Sequence, residues 1–487
     1  MEATDCHDVH GWTTLQRFSL AAVLAATFFF HLAMQREGHE WGGDFAQYLG
    51  HARNLATLHD YADTGYIYNP DAAVIGPRAY PPLFPMFLAP IYAGFGMDLD
   101  VFRLAILLVF LATLGISAVL FARKLSPWSA IGIAAILGFS PVFWEFNHML
   151  DSEHLFLFWW MLTMLVYQIY RGDHAKPCEH WGPAIAVGVL TYLVIGTRTV
   201  GIVLPPALLL TEVLVFRRLT RFAMVSLLTA IACYALQKVL LPMGGSGYLD
   251  QLSQITAQSL ASNLYHDGIS FLYIWRNGHA RGIAAVSGVI FSLVAVVGYL
   301  RETLPRPQLM GVATLLYMIL IVVWPGANGI RMVLPMLPAF LFWIFFAIEW
   351  LIPRTHWQRI AVAALVIYTL ACDARHYKYE DYHAFPGPES VAAKEMFNHV
   401  KLTVDPHEAC LFFKPRVMAF YARRRTIGFP IELSPESLRR TLDLGDVRVV
   451  VTTNQDRESV TPLLEKEGFA IDWHNDEFQL WRKKPTN

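Results

Sequence analysis

Charge is scarce in this sequence. Only 16% of its 487 residues are Asp, Glu, Lys or Arg, against 55% hydrophobic and 14% aromatic, a balance too apolar for a string of water-soluble domains. The 38 Lys and Arg nearly cancel the 39 Asp and Glu, so no overall basic field points to nucleic acid. Cysteine is sparse and scattered, at Cys6, Cys178, Cys233, Cys372 and Cys410. With no CxxC pair, neither a disulfide framework nor a zinc site is indicated. There is also no Walker A loop, no GxGxxG after a strand, no GxSxG elbow and no HExxH pair. Nucleotide-driven transport, hydride transfer and the commonest hydrolase designs therefore have no handle in the sequence.

Long apolar runs are present instead. A helix crossing the hydrocarbon core needs about 20 mostly apolar residues, and segments near that length recur between Leu15 and Cys372. They predict about eleven spans, near 15–34, 101–121, 127–143, 153–170, 182–195, 199–216, 222–241, 283–300, 308–324, 332–352 and 357–372. The run from Phe18 to Met34 has no small-residue cleavage site after it and reads as the first span rather than a signal peptide. Every second short loop is basic: Arg123 and Lys124; Arg171 and Lys176; Arg217, Arg218 and Arg221; Arg301 and Arg306; Arg354 and Arg359. Basic loops stay in the cytoplasm, which predicts a cytoplasmic N-terminus and, after an odd number of spans, an outer C-terminus. Three longer polar segments then fall outside: 35–100, 242–282 and everything after Asp373.

From Pro386 onward the pattern becomes that of a soluble α/β domain. Helices are expected near Glu389–Val400, Ser434–Leu442 and Glu458–Lys466. Strands are expected at Ala409–Phe413, Val447–Thr452, Phe469–Trp473 and Glu477–Trp481. The expected class is mostly α: a polytopic transmembrane bundle, residues 1–385, followed by a small extracytoplasmic α/β domain, residues 386–487.

Several charges interrupt the apolar pattern on the outer side. Asp44, in Glu40-Trp41-Gly42-Gly43-Asp44, opens a helix running to about Leu58, where a carboxylate serves either chemistry or as a cap for free N–H groups. The stretch from Tyr80 to Pro90 carries Pro81, Pro82, Pro85 and Pro90; it reads as an interfacial or dipping segment, not an ordinary span. Asp151 and Glu153 border a long apolar run, where ionised groups are costly unless they face water or a cation; the competing reading is a plain water boundary. Arg198, Arg331 and Lys238 break the charge rule for their side, as anion-holding cations or as snorkelling side chains. His39, His51, His59, His148 and His154 fall on the same face, so a divalent metal with Asp44 or Glu153 is an open alternative without an HxxxH pair to support it.

The order of these features resembles the GT-C superfamily of polytopic glycosyltransferases, in the branch of protein O-mannosyltransferases and the bacterial aminoarabinose transferase of lipid A. The residues that carry it are Asp44 with Tyr48, the YPPLFPMFLAP segment followed by Arg103, Asp151 with Glu153, Arg198 in GTRTVG, Arg331 before a proline-rich helix, and the outer α/β domain. Phe45 stands where many relatives have a second carboxylate. The resemblance implies inverting transfer of a sugar from a polyprenyl-phosphate donor to a glycolipid, polysaccharide or protein. It implies Asp44 as catalytic base, Arg198, Arg331 and Lys238 on the lipid phosphate, and Asp151 and Glu153 on the donor sugar or a divalent metal. Tyr48, Tyr80, Pro81, Pro82 and His154 would line the substrate cavity, in a bacterial inner membrane whose lipids are further partners. A secondary transporter and a non-catalytic scaffold or receptor are the alternatives. No inverted repeat between halves supports the transporter.

Overall fold

Each of the eleven predicted segments folds as helix. The computed structural model describes residues 12–172, 181–242, 255–275, 281–324, 329–352, 356–379, 385–454 and 457–484. Cys6, Cys178, Lys176, Arg354 and parts of the 242–282 segment lie outside the described residues. Helix α1 (Thr14–Ala33) starts on a reciprocal cap between Thr13 and Gln16, and α4 (Leu99–Phe121) starts on the Asp98 carboxylate. Between them α2 (Gly43–Ala56) and α3 (Leu83–Phe95) fill the first polar segment. There follow α5 (Pro127–Phe139), α6 (Pro141–His148), α7 (Glu153–Tyr167), α8 (Trp181–Thr197), α9 (Leu204–Phe216) and α10 (Arg221–Leu240). Helices Ala257–Ser270, Arg281–Thr303, Leu309–Val323, Ile330–Leu351 and His356–Tyr379 complete the apolar part.

Seven of these helices are long and apolar enough to cross a membrane, and the pair α5 and α6 makes an eighth if counted as one span. That pair bends by 50° where the sequence predicts one unbroken span. The cause is local: proline excludes the residue before it from helical geometry, and Ser140, before Pro141, is extended. The proline-rich segment is helical from Leu83 and tolerates Pro90 inside it, yet its 13 residues reach only about 20 Å, short of the ~30 Å hydrocarbon core. On Arg281–Thr303 the side chains of Ile283, Val286, Ile290, Leu293 and Val297 are all exposed. Their three- and four-residue spacing makes a continuous apolar stripe suited to lipid.

The C-terminal segment joins the first polar segment in one six-stranded sheet of order β1-β3-β2-β4-β6-β5. Its strands are β1 (Tyr66–Ile67), β2 (Ala409–Leu411), β3 (Arg425–Ile427), β4 (Val447–Thr453), β5 (Phe469–His474) and β6 (Phe478–Lys483). β1, β3, β2 and β4 run parallel, and the β4-β6-β5 edge is antiparallel. Strand alternation divides β4 between two cores. Val449 and Val451 face a cluster shared with α2, α3 and the helices Val391–Thr403 and Pro415–Ala422, whereas Val450 faces Leu438, Leu442 and Leu464. The first of these cores ties the sheet to the bundle. The helix Pro415–Ala422 and strands β1 and β3 were not foreseen from sequence.

At the far end of the bundle the basic loops find acids. Lys124 pairs with Glu302, and Arg171 donates through Nε to Glu212 at 2.9 Å. Close helix packing depends on Gly298, where an added Cβ would overlap the backbone carbonyl of Trp343 on the facing helix. Gly298→Val is expected to destabilise the protein by about 1–3 kcal/mol through forced separation of the two helices. Gly94→Ala, at a site with open space around it, is the control. Thermal unfolding in detergent measures both, and equal melting temperatures for the two variants would contradict the close packing.

Candidate active site

Asp44 is the second residue of α2, and Gly42 holds the cap position with no side-chain capping bond. The Asp44 carboxylate has a role beyond its own helix, because it meets two arginines. Nη1 of Arg331 donates to Oδ2 at 2.5 Å, and Nη1 of Arg416 donates to Oδ1 at 2.8 Å. The Tyr80 hydroxyl donates to the same Oδ1 at 2.6 Å. Burial alone would push this carboxyl up, but Arg331, Arg416 and the Tyr80 hydroxyl outweigh it and hold Asp44 well below the usual carboxylate range.

Arg331 sits among three acids. Besides Asp44 it donates through Nε to Oε1 of Glu153 at 2.5 Å, and its Nη2 lies 3.4 Å from Oδ2 of Asp151. Arg198 bonds the same Oε1 of Glu153 and reaches Sδ of Met332 at 3.7 Å. These residues come from segments remote in sequence: Glu153 opens α7, Arg198 follows α8, and Arg331 belongs to the short Ile330–Val333 turn. Burial, followed by the nearby Glu153 and Asp44 charges, pushes the Asp151 carboxyl well above its ordinary value despite Arg331. The guanidiniums of Arg198, Arg331 and Arg416 thus meet the carboxyl groups of Asp44, Glu153 and Asp151, the last of which burial holds towards its uncharged form. An open cavity of about 340 Å³ lies alongside, where Arg331 is the one cation and Glu40, Asp44 and Asp151 are the acids among its described lining residues.

The other expected site residues are divided. Tyr80 belongs to the network, and Pro81 and Pro82 join it to the start of α3. The Tyr48 hydroxyl bonds Oγ of Ser152 at 2.9 Å, between the two acidic stretches. Lys238 is exposed on α10, its ammonium 5.5 Å from the Tyr234 ring centroid, outside the ion-pair network. His154 is fully buried against Phe110 and bonds the Phe143 carbonyl at 3.1 Å, a packing position rather than a cavity wall.

A divalent metal does not fit these residues. The cation between Asp44, Asp151 and Glu153 is the Arg331 guanidinium. His39 bonds the Glu40 and Met149 carbonyls through both ring nitrogens and His51 bonds the Tyr61 carbonyl and the Tyr80 N–H, while His59 and His148 bond the Thr57 and Trp144 carbonyls through Nδ1. Among the described residues no group of three His, Cys, Asp or Glu side chains can hold a metal ion.

Arg416 was missed. It lies in the sequence Lys414-Pro415-Arg416-Val417, in a soluble stretch with many other basic residues, and nothing local distinguishes it. Its socket is nonetheless well built. The guanidinium lies between the rings of Tyr66 and Tyr80, at 5.0 and 4.7 Å from their centroids, and Nη2 donates to the Pro77 carbonyl at 3.0 Å. Gly76 leaves room for it: with φ of +98°, a Cβ there would come within 2.8 Å of Nη2. His51 secures the same wall, bonding the Tyr61 carbonyl at 2.7 Å and accepting from the Tyr80 N–H at 3.3 Å. Burial lowers the His51 pKa to about 3, so its ring stays neutral.

The raised Asp151 carboxyl gives a pH test. Its folded form keeps a proton that the unfolded chain has already released above about pH 4, so the folded state loses stability as pH rises from 5 towards the folded pKa. Asp151→Asn removes that loss. Its melting temperature relative to wild type should therefore increase between pH 5 and pH 8 in detergent, and a constant difference would mean that Asp151 is ionised.

No protein-family model matches the sequence, and no curated protein matches it. Solved structures do. ArnT from Cupriavidus metallidurans, in a structure bound to undecaprenyl phosphate, is 14% identical with a TM-score of 0.60 over 98% of this chain and 100% of that one. The oligosaccharyltransferase AglB from Archaeoglobus fulgidus, in complex with an inhibitory peptide and a dolichol-phosphate, is 10% identical with a TM-score of 0.59, over 94% of this chain and 73% of that one. A complex of the Archaeoglobus fulgidus oligosaccharyltransferase with Zn and sulfate gives 11% identity and a TM-score of 0.60, over 92% and 71% of the two chains. At such identities the likeness is one of fold, and because it runs nearly end to end, with apolar helices of spanning length, this is an integral membrane protein that shares its fold with ArnT and the archaeal oligosaccharyltransferase.

Proposed function

We propose that the protein is an inverting glycosyltransferase that moves a sugar from a polyprenyl-phosphate donor to an acceptor on the outer face of the membrane. The observation that carries this reading is the meeting of Asp44 with Arg331 and, through Glu153, with Arg198, beside an open cavity. A carboxylate next to paired guanidiniums supplies both needs of the reaction: a proton acceptor for the nucleophile and fixed positive charge for a phosphate leaving group. Structures with this fold hold undecaprenyl phosphate in one case and dolichol-phosphate in another.

In the proposed reaction an acceptor hydroxyl gives its proton to Asp44 while its oxygen bonds the anomeric carbon of the donor sugar. The bond from that carbon to the phosphate oxygen breaks on the opposite face, its electron pair leaves with the polyprenyl phosphate, and the anomeric configuration inverts. Arg198 and Arg331 take up the growing phosphate charge. Glu153, buried between them, sets their spacing, and Asp151, on the cavity wall, orients the donor sugar. A lipid-linked donor accounts for a membrane-bound transferase, since no nucleotide sugar is needed outside the cell.

The same reading sets the topology. The end bearing Arg123, Lys124, Arg171, Arg217 and Arg218 is cytoplasmic, as is the N-terminus. Residues 386–487, joined by β1 of the first polar segment, form the outer α/β domain, residues 1–385 carry the catalytic bundle, and the membrane is a bacterial inner membrane.

Transfer from a labelled polyprenyl-phosphate sugar in proteoliposomes tests the base. Asp44→Asn should lower kcat by roughly 10²- to 10⁴-fold with unchanged thermal unfolding, and near wild-type transfer would rule Asp44 out. Arg198→Ala should weaken donor binding, and unchanged binding would remove Arg198 from the phosphate site.

A further inference from the structure

The two oxygens of Asp44 are held differently. Oδ1 accepts from Arg416 and from Tyr80, which are themselves bonded to each other. Arg416 is enclosed, its side chain 1% exposed, and is fixed by Pro77 and two tyrosine rings. Oδ2 has Arg331 as its partner. Arg331 is the more accessible cation, 28% exposed, and it lines the open cavity. It is also anchored independently of Asp44, since Nε is bonded to Glu153. Its Nη1 can therefore change partners without moving the rest of the side chain.

We propose that Arg416 is a positioning residue that fixes Asp44 through Oδ1, and that a lipid phosphate entering the cavity replaces Asp44 on Nη1 of Arg331, freeing Oδ2 to accept a proton. The proposal rests on the glycosyltransferase reading and adds to it an order of events. While Arg331 is bound to it, Asp44 is a weak base, because a carboxylate held by two guanidiniums gives up its negative charge reluctantly. The donor's phosphodiester carries one negative charge, as Asp44 does, but it brings two free oxygens to the guanidinium fork where Asp44 has only Oδ2 to offer, and its charge grows as the bond to the sugar breaks, so it is the better partner for Nη1. Once it binds, one cation leaves Asp44 and burial is less strongly opposed, so the carboxylate becomes more basic only when the donor is in place. Arg416, contributed by the helix that packs the sheet onto α2, keeps the carboxylate aimed throughout. The C-terminal segment thereby takes part in the reaction without touching substrate.

Competition for one guanidinium has a reciprocal consequence: if phosphate displaces Asp44, neutralising Asp44 must tighten phosphate binding. The experiment uses the full chain in nanodiscs of zwitterionic lipid, with undecaprenyl phosphate as the probe. Asp44→Asn should bind it roughly fivefold or more tightly than wild type, at the scale of a typical coupling between sites, and the gain should vanish in the Asp44→Asn, Arg331→Ala double variant. Equal binding by wild type and Asp44→Asn overturns the exchange, while the transferase reading stands or falls on its own transfer assay. No binding by any variant overturns both.

Arg416 is tested by the split between kcat and KM. Arg416→Ala should lower kcat by about 10²-fold, the cost of a misplaced catalytic group, with donor KM unchanged, and Arg416→Lys, which keeps a cation in the socket, should recover part of the loss. A proportional rise in KM, or no recovery with lysine in a folded variant, overturns the positioning role. If Arg416→Ala does not fold, the lysine variant alone decides, since it should lose kcat and keep KM.

Discussion

The Arg331 guanidinium among three carboxyl groups is the interaction on which the rest depends. An ionised group at the edge of the hydrocarbon core costs several kcal/mol unless it is paired and hydrogen-bonded. Here Asp44, Asp151 and Glu153 arrive from the first polar segment, the α6–α7 turn and the start of α7, and one cation between them makes their approach tolerable. The helices that supply these groups end or break at that level. Arg198 lies between α8 and a 3-10 turn, and Arg331 lies in a single turn ahead of Pro335 and Pro338. Apart from the break at Ser140, the irregular backbone at Arg198 and Arg331 thus falls where charged side chains gather.

The second constraint is the union of sheet and bundle. β1 contributes two residues to the sheet, yet one of them, Tyr66, is also a wall of the Arg416 socket. The other wall, Tyr80, is held through its main chain by His51 and Tyr61 and ends in a hydroxyl bonded to Asp44. A short parallel pairing, a glycine with positive φ at position 76 and a buried arginine therefore act together to aim one carboxylate. The apolar core shared by α2, α3 and the Val391–Thr403 and Pro415–Ala422 helices gives this alignment its rigidity.

Much of the fold is legible in the sequence because its signals are local. Apolar runs of spanning length mark the helices, and β-branched stretches such as Val447–Thr453 mark the longer strands. The missed elements are those whose signal is too short to stand above the background: β1 with two residues, β3 with three and the eight-residue helix carrying Arg416. The bend at Ser140 was written in the Ser-Pro pair but masked by the continuous hydrophobicity around it.

At the site, Asp44, Glu153, Arg198 and Arg331 stood out because each is a charge out of keeping with its surroundings. Lys238 and His154 stood out for the same reason, yet one is exposed beside Tyr234 and the other is packed beneath Phe110. Arg416 did not stand out, because a charge in a soluble segment is ordinary. The sequence by itself determined which segments form apolar helices and which polar groups are costly among them, since transfer between solvents depends on each side chain and its near neighbours. Only the tertiary structure decided which cation meets which carboxylate, because a salt bridge falls off within a few ångströms and its partners, such as Asp44 and Arg416, lie 372 positions apart.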